Sequence, residues 1–76
     1  MQVYKDIDGD SGVEAYEYGE DWIRIRFKHS GTYEYRAARI GALHLDAMKR
    51  LADTGDGLGA YINKNPDVKR GYSSRL

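Results

Sequence analysis

Residues 22–28 have the order Trp-Ile-Arg-Ile-Arg-Phe-Lys, in which apolar and polar side chains alternate from residue 23 onward. This period of two predicts a β-strand in which both isoleucines and the phenylalanine share one face. A second alternating segment, residues 32–36, follows after the three residues His-Ser-Gly. Three-residue loops with glycine in the last place are typical of tight hairpins with a bulge, because glycine readily adopts a positive φ angle. The pattern therefore predicts an antiparallel hairpin.

A third strand is predicted over residues 13–18, where β-forming residues lie between two glycines. Because both connecting loops have three residues, the strands pair so that Arg26 lies between Glu14 and Glu34, and Arg24 lies opposite Arg36. One face of this sheet is apolar, with the members Val13, Ala15, Ile23, Ile25, Phe27, Tyr33 and Tyr35. The other face is aromatic and basic, with the members Tyr16, Tyr18, Trp22, Arg24, Arg26, Lys28 and Arg36.

After the strands the apolar period changes to that of a helix, from Ile40 to about residue 53. The predicted apolar stripe consists of Ile40, Leu43, Ala47, Met48, Leu51 and Ala52. Gly55 is predicted to end the helix as a left-handed cap, and residues 57–63 to turn the chain back. Asn65 and Pro66 indicate the start of one short helical turn that extends through Arg70.

These segments predict one α+β domain: a three-stranded antiparallel meander, one main helix packed on one face, and a short C-terminal helical turn. We expect an acidic N-terminal arm at residues 1–10, the domain at residues 11–72, and a tail at residues 73–76. The 76 residues contain no cysteine, which excludes disulfides and thiolate metal sites. No segment is apolar enough for a signal peptide or a membrane span, so we expect a cytoplasmic protein.

The formal net charge is zero, with 12 basic and 12 acidic residues, but the two signs are unevenly distributed. Residues 1–23 carry seven acidic residues and one basic residue, and the rest of the chain has the opposite excess. Such an asymmetry indicates either a binding face or charges that pair with each other inside the fold. Neutrality of the whole chain therefore does not exclude an anionic partner.

The acidic arm resembles a calcium-binding loop in its spacing. Asp6, Asp8, Asp10 and Glu17 occupy positions 1, 3, 5 and 12 of the EF-hand pattern. However, Ser11 stands where the sharp turn of that loop requires glycine, and no helix is predicted before the loop. A solvated acidic arm is favoured over a calcium site, and we expect no metal site.

Catalytic chemistry finds little support in the sequence. The glycine-rich residues 55–59 follow a helix, whereas phosphate-binding loops open one. His29 lies in a predicted hairpin loop and His44 on the helix, and no pattern places a nucleophile beside either imidazole. We therefore expect a non-enzymatic protein with no catalytic residues and no cofactor.

Several short motifs in a fixed order resemble the KTSC family. They are Ser11-Gly-Val13, Tyr16, Ile25-Arg-Phe27, Gly31-Thr-Tyr-Glu-Tyr35, Gly59-Ala-Tyr-Ile-Asn63 and Val68-Lys-Arg-Gly-Tyr72. This domain occurs at the C-terminus of some lysyl-tRNA synthetases and as small stand-alone proteins, and the resemblance covers residues 11–72. Gly41 stands where the family usually has proline, the gap between Asn63 and Val68 differs in length, and the acidic arm lies outside. The resemblance implies a compact α+β domain and an association with RNA-handling proteins, but no catalytic residues.

The aromatic and basic sheet face is the main candidate site. Aromatic rings stack on bases and basic groups follow the phosphate backbone, so this combination predicts binding of RNA or single-stranded nucleic acid. The residues expected to bind it are Tyr16, Trp22, Arg24, Arg26, Lys28, Arg36, Lys69 and Arg70. The same residues fit an ordinary solvated sheet face on which charges of opposite sign pair across strands.

A third interpretation is protein binding. Trp, Tyr and Arg are enriched at the centres of protein interfaces, so the same face could contact a protein partner or a second copy of the chain. The C-terminal part, with Tyr61, Tyr72 and Leu76, offers another such surface.

Overall fold

The computed structural model describes residues 1–7, 9 and 11–76, and within them the strands form a five-stranded antiparallel sheet in chain order. The strands are β1 (Gln2–Val3), β2 (Val13–Tyr18), β3 (Trp22–Phe27), β4 (Gly31–Arg36) and β5 (Ser74–Arg75). The helices, between β4 and β5, are α1 (Ala37–Ile40), α2 (Ala42–Thr54), α3 (Leu58–Lys64) and α4 (Pro66–Lys69). The α+β class, the antiparallel sheet and the main helix are confirmed.

The sheet has five strands where three were predicted, because the arm and the tail each add a short edge strand. Gln2 and Val3 pair with β2, and the Tyr4 amide continues the pairing by donating to the Glu14 carbonyl at 3.0 Å. At the other edge Ser74 and Arg75 pair with β4. A strand of two residues is too short to show any alternation, so the sequence pattern could not indicate either edge.

The predicted pairing of β3 with β4 is wrong by two residues. Arg24 lies opposite Glu34, and Arg26 lies opposite Thr32. The physical reason is that Gly31, with a φ of +95°, already pairs with Phe27, so the loop consists of residues 28–30. A shift of two residues keeps every side chain on its predicted face, since the side-chain period of a strand is two.

The predicted pairing of β2 with β3 is wrong by one residue over most of its length. Val13 pairs with Phe27, but Ala15 pairs with Arg26 and Tyr16 with Ile25, which defines a β-bulge between Val13 and Ala15. A bulge adds one residue to one strand and reverses the faces beyond it. Tyr16 and Tyr18 therefore lie on the helix-covered face, and Ala15 lies on the opposite one.

The main helix begins later than predicted, because Gly41 has a φ of +89° and separates α1 from α2. Leu45, Met48 and Ala52 form the buried stripe of α2. Leu43 was predicted to belong to this stripe, but it is 88% exposed because it lies on the opposite side of the helix.

Gly55 ends α2 in the left-handed conformation with its amide bonded to the Leu51 carbonyl at 2.9 Å, which confirms the predicted cap. Residues 57–63, predicted as a turn, instead form most of the helix α3, whose Leu58 and Ile62 are buried. The short helical turn at α4 is confirmed.

All four helices follow β4, and the core lies between them and one face of the sheet. Its sheet side includes Ile23, Ile25 and Tyr35, and its helix side includes Leu45 and Met48. Across the part of the chain that is described, none of the helices combines the length and the apolar character needed to cross a membrane.

Two tyrosines connect β2 to α2 through one carboxylate. The Tyr16 hydroxyl donates to Oδ1 of Asp53 at 2.8 Å, and the Tyr18 hydroxyl donates to Oδ2 at 2.6 Å. The two hydrogen bonds, with that of Tyr18 the stronger cause, lower the pKa of Asp53. Burial and the Asp53 contact raise the pKa of Tyr16 to about 12. The ionised carboxylate thus helps to hold Tyr16 in the core.

We predict that Asp53→Asn lowers the free energy of unfolding by about 1 kcal/mol at pH 7, because an amide replaces a charged acceptor of two hydrogen bonds. The folded-state pKa of Asp53 is depressed, so its contribution is present above the unfolded pKa. It is lost as the pH falls through the lower folded value. The difference between the variant and the parent, measured by urea unfolding, should therefore shrink in acid.

Asp46→Asn is the matched control for this prediction, since Asp46 is an exposed acid on the same helix. Equal stability losses in the two variants at pH 7 would contradict the role assigned to Asp53.

Candidate interaction surface on the open sheet face

The sheet face turned away from the helices is called the open face. Strand pairing assigns to it the residues Ala15, Glu17, Trp22, Arg24, Arg26, Thr32, Glu34 and Arg36. Their neighbours Ile23 and Ile25 point into the core on the other side. The alternation of β3 and β4 thus separates a charged face from a buried one, as the sequence predicted.

An ion-pair network crosses the three middle strands of the open face. Nε of Arg24 lies 2.8 Å from Oε1 of Glu34, and its Nη1 lies 3.3 Å from Oε2 of Glu17. Nε of Arg36 lies 2.7 Å from Oε2 of Glu34. Glu34 therefore receives a charged donor on each of its oxygens.

Glu34 is the buried member of this network, with 5% of its surface exposed. Its hydrogen bonds to Arg24 and Arg36, the first being the larger cause, lower the pKa of Glu34 although burial acts in the opposite direction. A buried carboxylate is tolerated when it is paired and hydrogen-bonded, as it is here. The network thus keeps Glu34 ionised near the middle of the open face.

Arg26 and Lys28, which were predicted to lie on the same face, also form ion pairs. Nε of Arg26 lies 2.7 Å from Oε1 of Glu14, and Nζ of Lys28 lies 3.1 Å from Oδ2 of Asp6. The predicted ion pair between Glu14 and Arg26 is therefore present, whereas Glu34 pairs with Arg24 and not with Arg26. The open face thus has three arginines, and three glutamates pair with them: Glu14, Glu17 and Glu34.

Trp22 lies at the end of β3 and is half-buried on the open face. The guanidinium carbon of Arg24 is 4.9 Å from the centre of the Trp22 ring, within the range of a cation–π contact. A Cβ atom at Gly19 would overlap the indole, so glycine at this position allows the ring to lie over the turn. Tyr16, which was predicted to share this face, lies in the core instead.

The residues predicted to bind nucleic acid lie in several separate places. Four of them share the open face: Trp22, Arg24, Arg26 and Arg36. Tyr16 is only 3% exposed and cannot offer its ring to a base, and Lys28 lies in the β3–β4 loop. Lys69 belongs to α4 on the helix side of the sheet, and Arg70 directly follows that helix.

Two exposed apolar residues lie at the edges of the open face: Val3, which the sequence analysis did not single out, and Leu76, which it assigned to a separate C-terminal surface. Val3 pairs with Ala15 and is 75% exposed. The Leu76 amide donates to the Thr32 carbonyl at 2.7 Å, which continues the register of β5, and Leu76 is 65% exposed. Because Val3 lies in a two-residue strand and Leu76 follows one, no local pattern in the sequence could have placed them there.

The calcium-loop residues that are described make other contacts. Oδ1 of Asp6 accepts the Ser11 amide at 3.1 Å, its Oδ2 accepts Lys28, and Glu17 pairs with Arg24 on the open face. Asp8 and Asp10, also part of that pattern, lie outside the described residues. Within residues 1–7, 9 and 11–76, no group of three or more His, Cys, Asp or Glu side chains is placed to hold a metal ion.

Comparison with protein-family models, with curated proteins and with solved structures finds no match to this chain.

We predict that Glu34→Gln lowers the free energy of unfolding by about 2 kcal/mol at pH 7, because it leaves two guanidinium groups without their shared carboxylate. The depressed pKa of Glu34 means that this contribution is present above the unfolded pKa and disappears as the pH falls through the folded value. Urea unfolding at several pH values measures the effect.

Glu17→Gln serves as the control, since Glu17 is more exposed and its contacts to Arg24 and to the N-terminal ammonium group are longer, at 3.3 and 3.8 Å. We expect a loss of about 0.5 kcal/mol for an exposed pair. A loss from Glu34→Gln no larger than that from Glu17→Gln would show that the buried network does not stabilise the fold.

Proposed function

We propose that this chain is a non-enzymatic, KTSC-like domain that binds protein through its open face, with a second copy of the chain as the partner. The observation that supports this most directly is the pairing of every arginine of the open face with a carboxylate. The surface is polar and charged, but its charges are balanced.

The balance of charge favours a protein over a nucleic acid. Binding to a phosphate backbone gains its free energy largely from cations that neutralise phosphates and release counterions. On the open face a phosphate would have to displace Glu14 or Glu34 from its arginine, and the freed carboxylate would then repel it. A protein surface can instead offer both signs of charge.

The balance of charge also supports self-association. In a two-fold dimer the same surface of both copies must be complementary to itself. A surface with equal numbers of arginine and glutamate side chains meets this requirement, because a rotated copy can set carboxylates against guanidinium groups. The formal net charge of zero adds no long-range repulsion between two copies at neutral pH.

Apolar contacts are available around the charged centre of the open face. Val3 and Leu76 are exposed at its two edges, and Trp22 lies at one end of β3. Trp and Arg are among the residues that carry most of the binding energy in protein interfaces. A second copy would cover these apolar side chains, which water surrounds in the single chain.

The area of the open face sets the expected affinity. Three six-residue strands about 20 Å long and two two-residue edge strands, at the usual spacing of about 4.8 Å, together cover about 350 Å² on each copy. Stable interfaces bury about 800 Å² on each partner. We therefore expect a weak dimer whose population depends on protein concentration.

The test is to measure the molar mass by light scattering and sedimentation from about 10 to about 500 µM protein, a range suited to a weak dimer. The single tryptophan provides a second readout, since Trp22 lies on the open face and its emission should shift to shorter wavelength when a second copy covers it. A monomer throughout this range with unchanged emission would overturn the proposed partner.

The variant Val3→Glu should weaken the dimer by about tenfold, because it places a carboxylate at the edge of the interface beside exposed apolar surface. Leu43→Glu is the matched control: Leu43 is equally apolar and more exposed, but it lies on α2 and not on the open face. Equal weakening by both variants would contradict an interface on this face.

Fluorescence anisotropy with a labelled single-stranded oligouridylate distinguishes the competing interpretation. We expect no saturable binding at moderate salt. Saturable binding that weakens steeply with salt, and that is reduced when Arg24 and Arg26 are both replaced by Ala, would instead assign the face to nucleic acid.

A further inference from the structure

A cavity of about 410 Å³ lies on the helix side of the β3–β4 hairpin, where α3 and α4 approach the sheet. This volume falls within the range of small-molecule binding sites. Its wall is mainly aromatic and apolar, formed by Phe27, Tyr33, Tyr35, Ile62 and Tyr72, with Lys69 as its cation.

The aromatic side chains of the wall are already ordered by contacts with one another. The rings of Phe27 and Tyr33 meet edge to face with centres 5.6 Å apart, and those of Tyr33 and Tyr72 do so at 4.9 Å. Edge-to-face pairs are a favourable arrangement of aromatic rings. A planar ligand would therefore meet a wall that needs little reorganisation.

Tyr35 lines the cavity, and only 2% of its surface is exposed to solvent. Burial, with Tyr33 and Tyr72 nearby, raises the pKa of Tyr35 to about 12, so the hydroxyl is protonated and can donate at neutral pH. A tyrosine hydroxyl at the wall can therefore donate a hydrogen bond to an acceptor bound in the cavity.

The charges around the cavity favour an anion. Lys69 lines it, and no acidic residue does so within the described part of the chain. The guanidinium carbon of Arg75 lies 5.4 Å from the centre of the Tyr33 ring, which adds a second cation at this wall. An aromatic wall can also bind a quaternary ammonium group, but two neighbouring cations disfavour that ligand.

We propose that this cavity binds a small molecule with one aromatic ring system and one anionic group, the ring against the Tyr33–Tyr72 wall and the anion at Lys69. This proposal does not depend on the function of the open face. Tyr33 and Tyr35 project to the helix side of β4, whereas Glu34 and Arg36 project to the open face. If ligand binding in the cavity fails, dimerisation through the open face can therefore still be tested, and the reverse also holds.

The first experiment is an NMR titration of the full chain with three probes: indole-3-acetate, neutral indole and cationic tryptamine. We expect indole-3-acetate to shift the amide signals of the cavity residues and to bind at least about fivefold more tightly than tryptamine. Equal affinity for the anion and the cation, or shifts confined to other surfaces, would overturn the proposal.

Two lysine variants test the anion site. Lys69→Gln should weaken binding of indole-3-acetate by about threefold, which is the effect of removing one exposed cation. Lys64→Gln is the matched control, because Lys64 is an exposed lysine of α3 that does not line the cavity. If both variants weaken binding equally, Lys69 is not the anion contact and the proposal fails.

Two tyrosine variants test the wall. Tyr72→Ala should weaken binding of indole-3-acetate by about fivefold, whereas Tyr72→Phe should retain it because the ring remains. Tyr72 is 38% exposed, so both variants are expected to fold, and thermal unfolding checks this. Full binding by a folded Tyr72→Ala variant would contradict an aromatic site.

The anionic group could be a carboxylate or a phosphate. Titration with adenosine monophosphate beside indole-3-acetate distinguishes these sources, since both carry an aromatic ring and an anion. Tighter binding of the nucleotide would identify a phosphate ligand, and tighter binding of indole-3-acetate a carboxylate. Either preference supports the proposal, whereas no binding of either compound contradicts it.

Discussion

The β-bulge between Val13 and Ala15 is the constraint on which the rest of the structure depends. It adds one residue to β2, so that Tyr16 opposes Ile25 on the helix side and Glu17 opposes Arg24 on the open face. With regular pairing Tyr16 would lie on the open face and could not reach Asp53 on α2. The same irregularity therefore places an aromatic ring in the core and a carboxylate beside an arginine.

The three middle strands could be predicted to within one residue because alternation is a local property of the sequence. Their pairing could not be predicted, since it depends on whether Gly31 ends the loop or begins β4, and on a bulge that no glycine marks. The edge strands β1 and β5 were missed because a strand of two residues is too short to show alternation of polar and apolar side chains. α3 was missed because a seven-residue helix containing Gly59 has weak intrinsic helix propensity and is stabilised by burial of Leu58 and Ile62.

The candidate site could be predicted only in part. Trp22, Arg24, Arg26 and Arg36 share a face because a two-residue shift does not change which side a residue takes. The balance of charge on that face was not predictable, since it depends on which glutamate opposes which arginine. The cavity was not predictable either: it joins Tyr33 to Tyr72 and Lys69, which are far apart in the sequence and meet only after the chain has passed through four helices.

The strand β4 contributes to both proposed sites, and its surroundings decide whether they influence each other. Its neighbouring residues Glu34 and Tyr35 point to opposite faces, one into the ion-pair network and one into the cavity wall. Coupling would require β4 to move, but it is hydrogen-bonded to β3 on one side and to β5 on the other. Glu34 is also held by Arg24 and Arg36. Because a small ligand binding to an ordered aromatic wall supplies little free energy for breaking these contacts, we expect the open face and the cavity to act independently.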